Sequence, residues 1–239
     1  MCLVPGAQSL TNRFLIIVIL LLSLPALAAA QGSSRSRSLD DLQEKADTLF
    51  RQGHWERAHF IYVNELAARG DKFSQYMAGY MYHEGRGVER DPVRALAWYR
   101  LAAENGAPEF IELRDGLLVS LSEESLETSD AIYIELRRKY SDLALALGLV
   151  RDEREALNEP TTGSRISNAS TSVTIIDPHG RRVISRAEYE RRLKSRIKLR
   201  LDYITKALDI EELDADLSDK EFGALADQVE RHLEVINDR

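Results

Sequence analysis

The chain has 239 residues, of which 44% are hydrophobic and 30% are charged, with a formal net charge of -7 and a single cysteine. This length suffices for one or two domains with cores that need no cross-links, and one cysteine excludes an intramolecular disulfide. The acidic balance argues against a nucleic-acid-binding protein, because such proteins need a basic surface to meet phosphates.

Residues 1–30 have the layout of a secretory signal peptide. A single charge precedes an apolar run over residues 14–24, and a proline and a series of small residues follow. Ala28 and Ala30 form an A-x-A cleavage site, so we expect cleavage before Gln31. The only cysteine would be lost with this peptide, and none follows the cut, which argues against a lipoprotein anchor.

The alternative to cleavage is an uncleaved signal anchor, because residues 14–30 are just long enough to cross a bilayer. We expect an exported protein of the bacterial periplasm. If the signal is not cleaved, the chain is instead anchored in the membrane and faces the periplasm.

A short lead and a first pair of helices follow. Residues 31–38 are rich in Gly, Ser and Arg, which predicts disorder. Apolar residues then recur at helical spacing, and Gly53 separates a helix that begins near Ser38 from a second one over residues 55–69.

Residues 71–106 carry the most informative pattern, two helix-sized stretches joined by a Gly-x-Gly turn. Gly79 lies inside the first stretch, where glycine costs about 1 kcal/mol relative to alanine, so we expect a neighbouring helix to approach closely there. Gly85 and Gly87 suit the left-handed backbone that ends a helix. Asp91, followed by proline, suits the start of the next helix.

This stretch resembles the Sel1-like repeat family, a relative of the tetratricopeptide repeat. Ser74 and Ala78 depart from the alanine and leucine that the family usually has, which loosens the packing without breaking the hairpin. The family's recurring positions are met by Gln75, Tyr76, Gly79, Met81, Tyr82, Gly85, Gly87, Val88, Asp91, Ala95, Trp98, Tyr99, Ala102, Ala103 and Gly106.

The resemblance implies an α-solenoid that binds proteins or peptides on a curved surface, and it implies no chemistry by itself. Partner contacts in the family usually come from the first helix of each hairpin and the loop at its end. That placement makes Gln75, Tyr82, His83 and Arg86 the candidate contact residues. Tyr82 has an alternative role in packing the repeat, and Arg86 has one as a merely soluble turn residue.

Similar hairpins are expected on both sides of this repeat. The string Ala46, Phe50, Gly53, Trp55, Ala58 resembles the seam of a tetratricopeptide hairpin and indicates a degenerate first unit. A fifth and a sixth helix follow the repeat, with a candidate break in the sixth near residues 140–141. The fold class predicted for residues 39–157 is therefore an α-solenoid of about three stacked helical hairpins.

Three further segments complete the predicted architecture. Residues 158–171 are rich in Pro, Thr, Gly, Ser and Asn and indicate a linker. Residues 172–184 predict a small β-hairpin, because two β-branched runs flank an Asp-Pro-His-Gly turn. Residues 185–239 predict a C-terminal helical hairpin, which completes an all-α fold apart from that β-hairpin.

The charges of the C-terminal pair are segregated. Most charged residues in the range 181–206 are basic, and most of those in the range 207–239 are acidic. We therefore expect the two helices to attract each other. A basic face at Arg191, Arg192, Lys194 and Lys198 could alternatively meet an anionic surface. The apolar stripes of the pair should dock on each other or on the end of the solenoid, or form a homodimer through residues 185–239.

The sequence offers little sign of catalysis. Its five histidines lack metal-binding spacing, and no phosphate-binding loop, dinucleotide fingerprint or nucleophile elbow is present. We therefore expect no catalytic residue, no metal and no cofactor. The alternative is an envelope enzyme acting on cell-wall material near Asp177 and His179.

The expected function is an exported, non-catalytic adaptor that binds a protein or peptide partner. Nucleic acid is not an expected partner, and membrane contact is expected only with an uncleaved signal. A third alternative is a structural protein whose C-terminal stripe dimerises.

Overall fold

The structure is a computed structural model that describes most of the chain. The described residues are 38–158, 175–176, 183–184 and 186–236. The expected signal peptide, all of the expected lead except Ser38, and all of the expected linker except Asn158 lie outside the described residues.

The described residues are mainly helical. The helices are α1 (Leu39–Arg51), α2 (Trp55–Ile61), α3 (Lys72–Glu84), α4 (Pro92–Ala103), α5 (Pro108–Leu118), α6 (Glu123–Tyr140), α7 (Asp142–Asn158), α8 (Arg186–Leu208) and α9 (Asp219–Glu234). A π-helical turn (Tyr62–Leu66) and a short 3-10 turn (Ala67–Arg69) prolong α2 until Gly70 ends it in the left-handed conformation.

Helices α1 and α2 form the first hairpin. Their buried apolar residues include Ala46, Ala58 and Tyr62, and Met77 and Met81 of α3 join the same cluster. The first hairpin therefore packs directly on the helix that follows it, as expected of stacked repeat units.

Helices α3 and α4 form the second hairpin, with the ends that the sequence predicts. The side chain of Asp91 accepts a hydrogen bond from the Arg94 amide, and proline occupies the first turn of α4. Gly85 ends α3 with φ of 69°. Helix α4 is buried along its whole length after Arg94, because α3, α5 and α6 all pack against it.

Helices α5 and α6 both pack against α4 rather than mainly against each other, so the expected third hairpin is replaced by two helices that lie on α4. The chain then turns sharply at Ser141. The backbone of Ser141 is extended, and its hydroxyl accepts a hydrogen bond from the Ala144 amide at the start of α7. The break foreseen near residues 140–141 is thus a boundary between two helices.

Helix α7 shares a core with the two C-terminal helices. Leu147 and Val150 of α7 lie with Ile197 and Leu201 of α8 and Val229 of α9 in one buried cluster. The apolar stripes of α8 and α9 are therefore covered within the chain. This removes the reason for which the sequence suggested a homodimer through residues 185–239.

The basic face of α8 meets acids of the same chain. Lys194 lies 2.7 Å from Asp216, Lys198 lies 2.8 Å from Asp202, and Arg191 and Arg192 both pair with Glu188. The expected attraction between the two charge blocks is seen in the Lys194 pair, which joins α8 to the segment before α9.

The predicted β-hairpin over residues 172–184 is wrong as an element of the fold, which is a helical one. In the part of this stretch that the structure describes, the pairing is limited to Ile175–Ile176 opposite Val183–Ile184. Each side has only two residues, which is much shorter than a strand that contributes to a core. β-branched residues beside a turn signal favour extended backbone locally, which accounts for this short pairing but does not add a sheet to the helical fold.

Candidate partner-binding surface

Four aromatic side chains form a continuous strip across α1, α3 and α5. We call Phe50, Tyr80, Tyr76 and Phe110 the aromatic strip. Ring centroids are 6.1 Å apart for Phe50 and Tyr80, 6.3 Å for Tyr80 and Tyr76, and 5.6 Å for Tyr76 and Phe110. All four side chains are partly exposed. The strip therefore offers apolar, polarisable surface contributed by α1, α3 and α5.

Helical spacing and one buried ring explain how the strip is held. Tyr76 and Tyr80 are four residues apart, so both lie on one face of α3. Tyr76 also stacks on Tyr99 of α4, with centroids 5.8 Å apart, and Tyr99 is only 3% exposed. Burial and the neighbouring Tyr80 raise the pKa of Tyr76, so its hydroxyl remains a hydrogen-bond donor at neutral pH.

Arg86 lies at one end of the strip, surrounded by rings. Its guanidinium carbon is 5.5 Å from the ring centroid of Trp55 and 5.7 Å from those of Phe50 and Tyr80. These distances allow cation–π attraction, which holds the guanidinium beside apolar surface. The predicted contact residue Arg86 is thus adjacent to the strip.

The Gly-Arg-Gly turn fixes the position of Arg86. The amide of Arg86 donates to the carbonyl of Met81 at 2.9 Å. Gly87 has φ of 73°, and a Cβ atom there would lie 2.5 Å from the carbonyl carbon of Trp55. The turn therefore presses directly on the backbone at the start of α2, which only glycine permits.

The other three predicted contact residues have different surroundings. Gln75 has no exposed surface, and its amide nitrogen donates to the carbonyl of Tyr140 at 3.0 Å. The contact assigned to Gln75 is therefore corrected to an internal one between α3 and α6. His83 is partly exposed and lies 3.3 Å from Glu84, close to the exposed end of α3.

Tyr82 packs within the repeat rather than along the strip. Arg94 lies over its ring at 5.4 Å, and the edge of His59 meets it at 5.3 Å. Burial lowers the pKa of His59, whose Nε2 atom is enclosed without a hydrogen-bond partner. The alternative packing role that the sequence allowed for Tyr82 accounts for this geometry.

A cleft of about 530 Å³ is lined by residues of α4 to α9, and several of its charged side chains form ion pairs. Glu104 lies 3.0 Å from Arg137 and 3.6 Å from Lys72. Burial raises the pKa of Glu104, and the two cations partly offset that effect. Arg137 also donates to the carbonyls of Leu233 and Val235. The contacts that line the cleft therefore connect α4 and α6 to the end of α9.

The alternative catalytic pair, Asp177 and His179, lies outside the described residues. Within the ranges that are described, no three His, Cys, Asp or Glu side chains gather in a metal-binding arrangement. None of the described helices combines the length and apolar character needed to cross a bilayer.

Stacked helical hairpins are the arrangement of a helical-repeat protein. Residues 72–106 match the Sel1 repeat model, so α3 and α4 form a Sel1 repeat. Repeats of this type generally serve as protein–protein interaction modules.

Among solved structures, the chain is similar to a protective antigen present in uropathogenic Escherichia coli strains, which displays an SLR fold. The two are 22% identical, with a TM-score of 0.41 over 55% of this chain and 28% of the antigen. The chain thus covers less than a third of the antigen's length. No curated protein matches the chain.

Sequence reasoning missed most of the strip. Phe50 and Tyr76 entered the sequence analysis only as repeat positions, and neither Tyr80 nor Phe110 was singled out as a surface residue. The four-residue spacing of Tyr76 and Tyr80 was an available signal for the central part. Alignment with rings on α1 and α5 depends on how the hairpins stack, which single-helix periodicity does not specify.

Proposed function

We propose that this chain is an exported, non-catalytic adaptor that binds a protein partner through the aromatic strip. The observation that carries the proposal is the partial exposure of neighbouring rings contributed by α1, α3 and α5. Aromatic side chains on a rigid scaffold are typical of the energetically dominant part of an interface, because they bury much area at small entropic cost.

Exposed apolar side chains next to the strip support a contact surface larger than four rings. Trp55 is 39% exposed, Phe73 is 37% exposed and Leu113 is 41% exposed. Phe73 lies 6.0 Å from Tyr76 by ring centroids, and Trp55 shares Arg86 with the strip. Contiguous apolar surface of this kind marks interaction sites in soluble proteins.

Co-purification from cells that produce the tagged full chain tests the proposal. Tyr80→Ala removes the central ring, and we expect it to lose a partner that the unchanged chain retains. Phe60→Ala is the matched control, because Phe60 is 58% exposed but lies on α2 outside the strip. Circular dichroism must show that both variants are folded. Equal retention by Tyr80→Ala and Phe60→Ala would argue against the strip.

Export is the second part of the proposal and rests on the layout of residues 1–30. Fractionation of producing cells should place the chain in the periplasm, and amino-terminal sequencing should begin at Gln31. An intact amino terminus in the membrane fraction would instead support the anchored alternative. Intact chain in the cytoplasm would contradict export.

A further inference from the structure

The geometry points to a carboxylate site at Arg86, where an acidic segment of the partner protein docks with an Asp or Glu beside an apolar side chain. This inference rests on the proposed function, because it names the chemistry of the partner at the same surface. The carboxylate would meet the guanidinium, and the neighbouring apolar side chain would meet Tyr80 and Phe50.

Other arginines that pack on rings in the described residues have an acidic partner. Arg94 lies over Tyr82 and 3.3 Å from Asp91, while Arg154 lies over Phe222 and 2.9 Å from Asp219. The same holds for two arginines near Tyr133, which are Arg100 with Asp130 at 2.6 Å and Arg137 with Glu104 at 3.0 Å.

Arg86 differs from these four arginines. It contacts three rings, yet no carboxylate within the described ranges lies at ion-pair distance from it. Arg86 is partly exposed, and its guanidinium has five N–H donors that can bind a carboxylate. A carboxylate from another molecule would complete the arrangement that the other ring-packed arginines already have.

The turn holds Arg86 in place before any partner arrives. Gly87 packs on the backbone of Trp55, and the Arg86 amide is bonded to Met81, so the backbone of this residue is fixed. A planar guanidinium that already lies among rings loses little conformational freedom when it binds a carboxylate bidentately. Preorganisation of this kind favours affinity by lowering the entropic cost of binding.

Among the described residues, Arg86 is the cation that contacts the rings of Phe50, Trp55 and Tyr80, and one cation beside rings suits an acidic protein segment better than a polyanion. Nucleic acids are bound by several cations that neutralise successive phosphates, whereas this chain has a net charge of -7. The aromatic strip continues away from Arg86 as apolar surface, which fits side chains flanking one carboxylate. The test must therefore be able to detect a polyphosphate that binds at this site.

Selection from a displayed library of random peptides tests the inference with the full chain. The unchanged chain should enrich peptides in which Asp or Glu lies next to an aromatic or aliphatic residue. Arg86→Gln should lose the acidic preference and keep the apolar one. Arg94→Gln is the matched control, because Arg94 also lies over a ring but already has an acid, and it should select as the unchanged chain does.

Affinity measurements on one selected peptide give the size of the effect. Replacing its acid by the matching amide should weaken binding about 10- to 100-fold, because a charge-assisted bond is lost. This arm leaves the protein unchanged and stays decisive if Arg86→Gln does not fold. Higher salt should weaken the acidic peptide and leave the amide peptide nearly unaffected.

Each outcome separates the inference from the proposed function. Three outcomes would overturn the carboxylate site. The first is selection of apolar peptides without an acidic preference, and the second is equal affinity of the acid and amide peptides. The third is competition by inorganic polyphosphate but not by acidic peptides. Failure to select any peptide would overturn it too. The proposed function would still stand in all these cases if the partner co-purifies and is lost with Tyr80→Ala.

Discussion

Gly79 shows how one missing side chain sets the distance between two helices. A Cβ atom there would lie 2.7 Å from the ring of Tyr99 and 3.1 Å from the carbonyl oxygen of Ala95. The ring has little room to move, because Tyr76 stacks on it. Close approach of α3 and α4, and with it the position of Tyr76 in the strip, depends on this glycine.

Gly79→Ala should therefore destabilise the protein although alanine is the better helix former. Overpacking costs about 1–3 kcal/mol, which outweighs the roughly 1 kcal/mol gained from helix propensity. Gly223→Ala in α9 is the control, since a Cβ there meets nothing within 4 Å, and it should stabilise by about 0.5–1 kcal/mol. Urea unfolding measures both; the same sign for the two variants would contradict the packing argument.

Gly87→Ala should cost more than a left-handed glycine alone explains. Gly106 has a similar φ of 78° but open space around it, so Gly106→Ala reports only the backbone cost of about 1–2 kcal/mol. Gly87→Ala adds the collision with Trp55, and we expect a total near 3 kcal/mol. Equal urea midpoints for the two variants would show that the turn does not press on α2.

His59 should make stability depend on pH. Burial lowers the pKa of its imidazole, so the unfolded chain binds the proton more readily than the folded chain. The resulting destabilisation is absent when the pH is well above the unfolded-state pKa of about 6.5. It grows as the pH falls below that value. His59→Phe should reduce the loss of melting temperature between pH 7.5 and pH 5.5. An unchanged loss would assign it to other groups.

At the scale of the elements, a buried carboxylate joins α7 to α8. Glu153 has a side chain that is 11% exposed, and both Arg196 and Arg200 donate to it at 2.6 Å. Acidic and basic residues on neighbouring helices thus add to the apolar packing of the C-terminal core. A buried carboxylate with two donors is costly to neutralise on one side only.

Glu153→Gln should loosen this contact by about 1–3 kcal/mol, because charge-assisted bonds to a buried group are lost. Hydrogen exchange of α8 amides should speed up, while exchange in α3 and α4 should not. The control is Glu188→Gln, which removes a carboxylate that also meets two arginines but is 30% exposed rather than 11%. No measurable change is expected there, and equal effects of the two substitutions would contradict the role of burial.

What the sequence reveals at this scale depends on how local the cause is. Gly85, Asp91 and the alanines of α4 act within one hairpin, so their spacing predicts the repeat. The assignment of α7 to the C-terminal core depends on Val150 meeting Ile197, a contact across 46 intervening residues, and helical periodicity does not choose between partners for an apolar stripe.

Long-range contacts also explain the misjudged parts of the surface. Gln75 occupies a repeat position on α3, and in the stacked fold it is buried and donates to the carbonyl of Tyr140 on α6. The predicted β-hairpin had strong local signals, but a two-stranded unit needs a packing face that the sequence pattern does not supply. Local chemistry therefore fixed the hairpins, while stacking fixed which side chains are exposed.

At the scale of the whole molecule, the covered surfaces and the exposed surfaces have different roles. The apolar stripes of α8 and α9 are buried within the chain, and the charges around Glu104 form ion pairs there. The C-terminal helices therefore act as a support for the repeats. The aromatic strip and Arg86 remain partly exposed. This division leaves the surface of the repeats open to the proposed partner.

Photo-cross-linking in living cells tests that account most directly. A photoreactive phenylalanine analogue would replace Tyr80 on the strip or, in a separate strain, Phe60 on the outer side of α2. The account predicts that the Tyr80 position forms a covalent adduct with a partner protein and that the Phe60 position does not. An adduct from Phe60 alone, or none from Tyr80 in a folded chain, would contradict it.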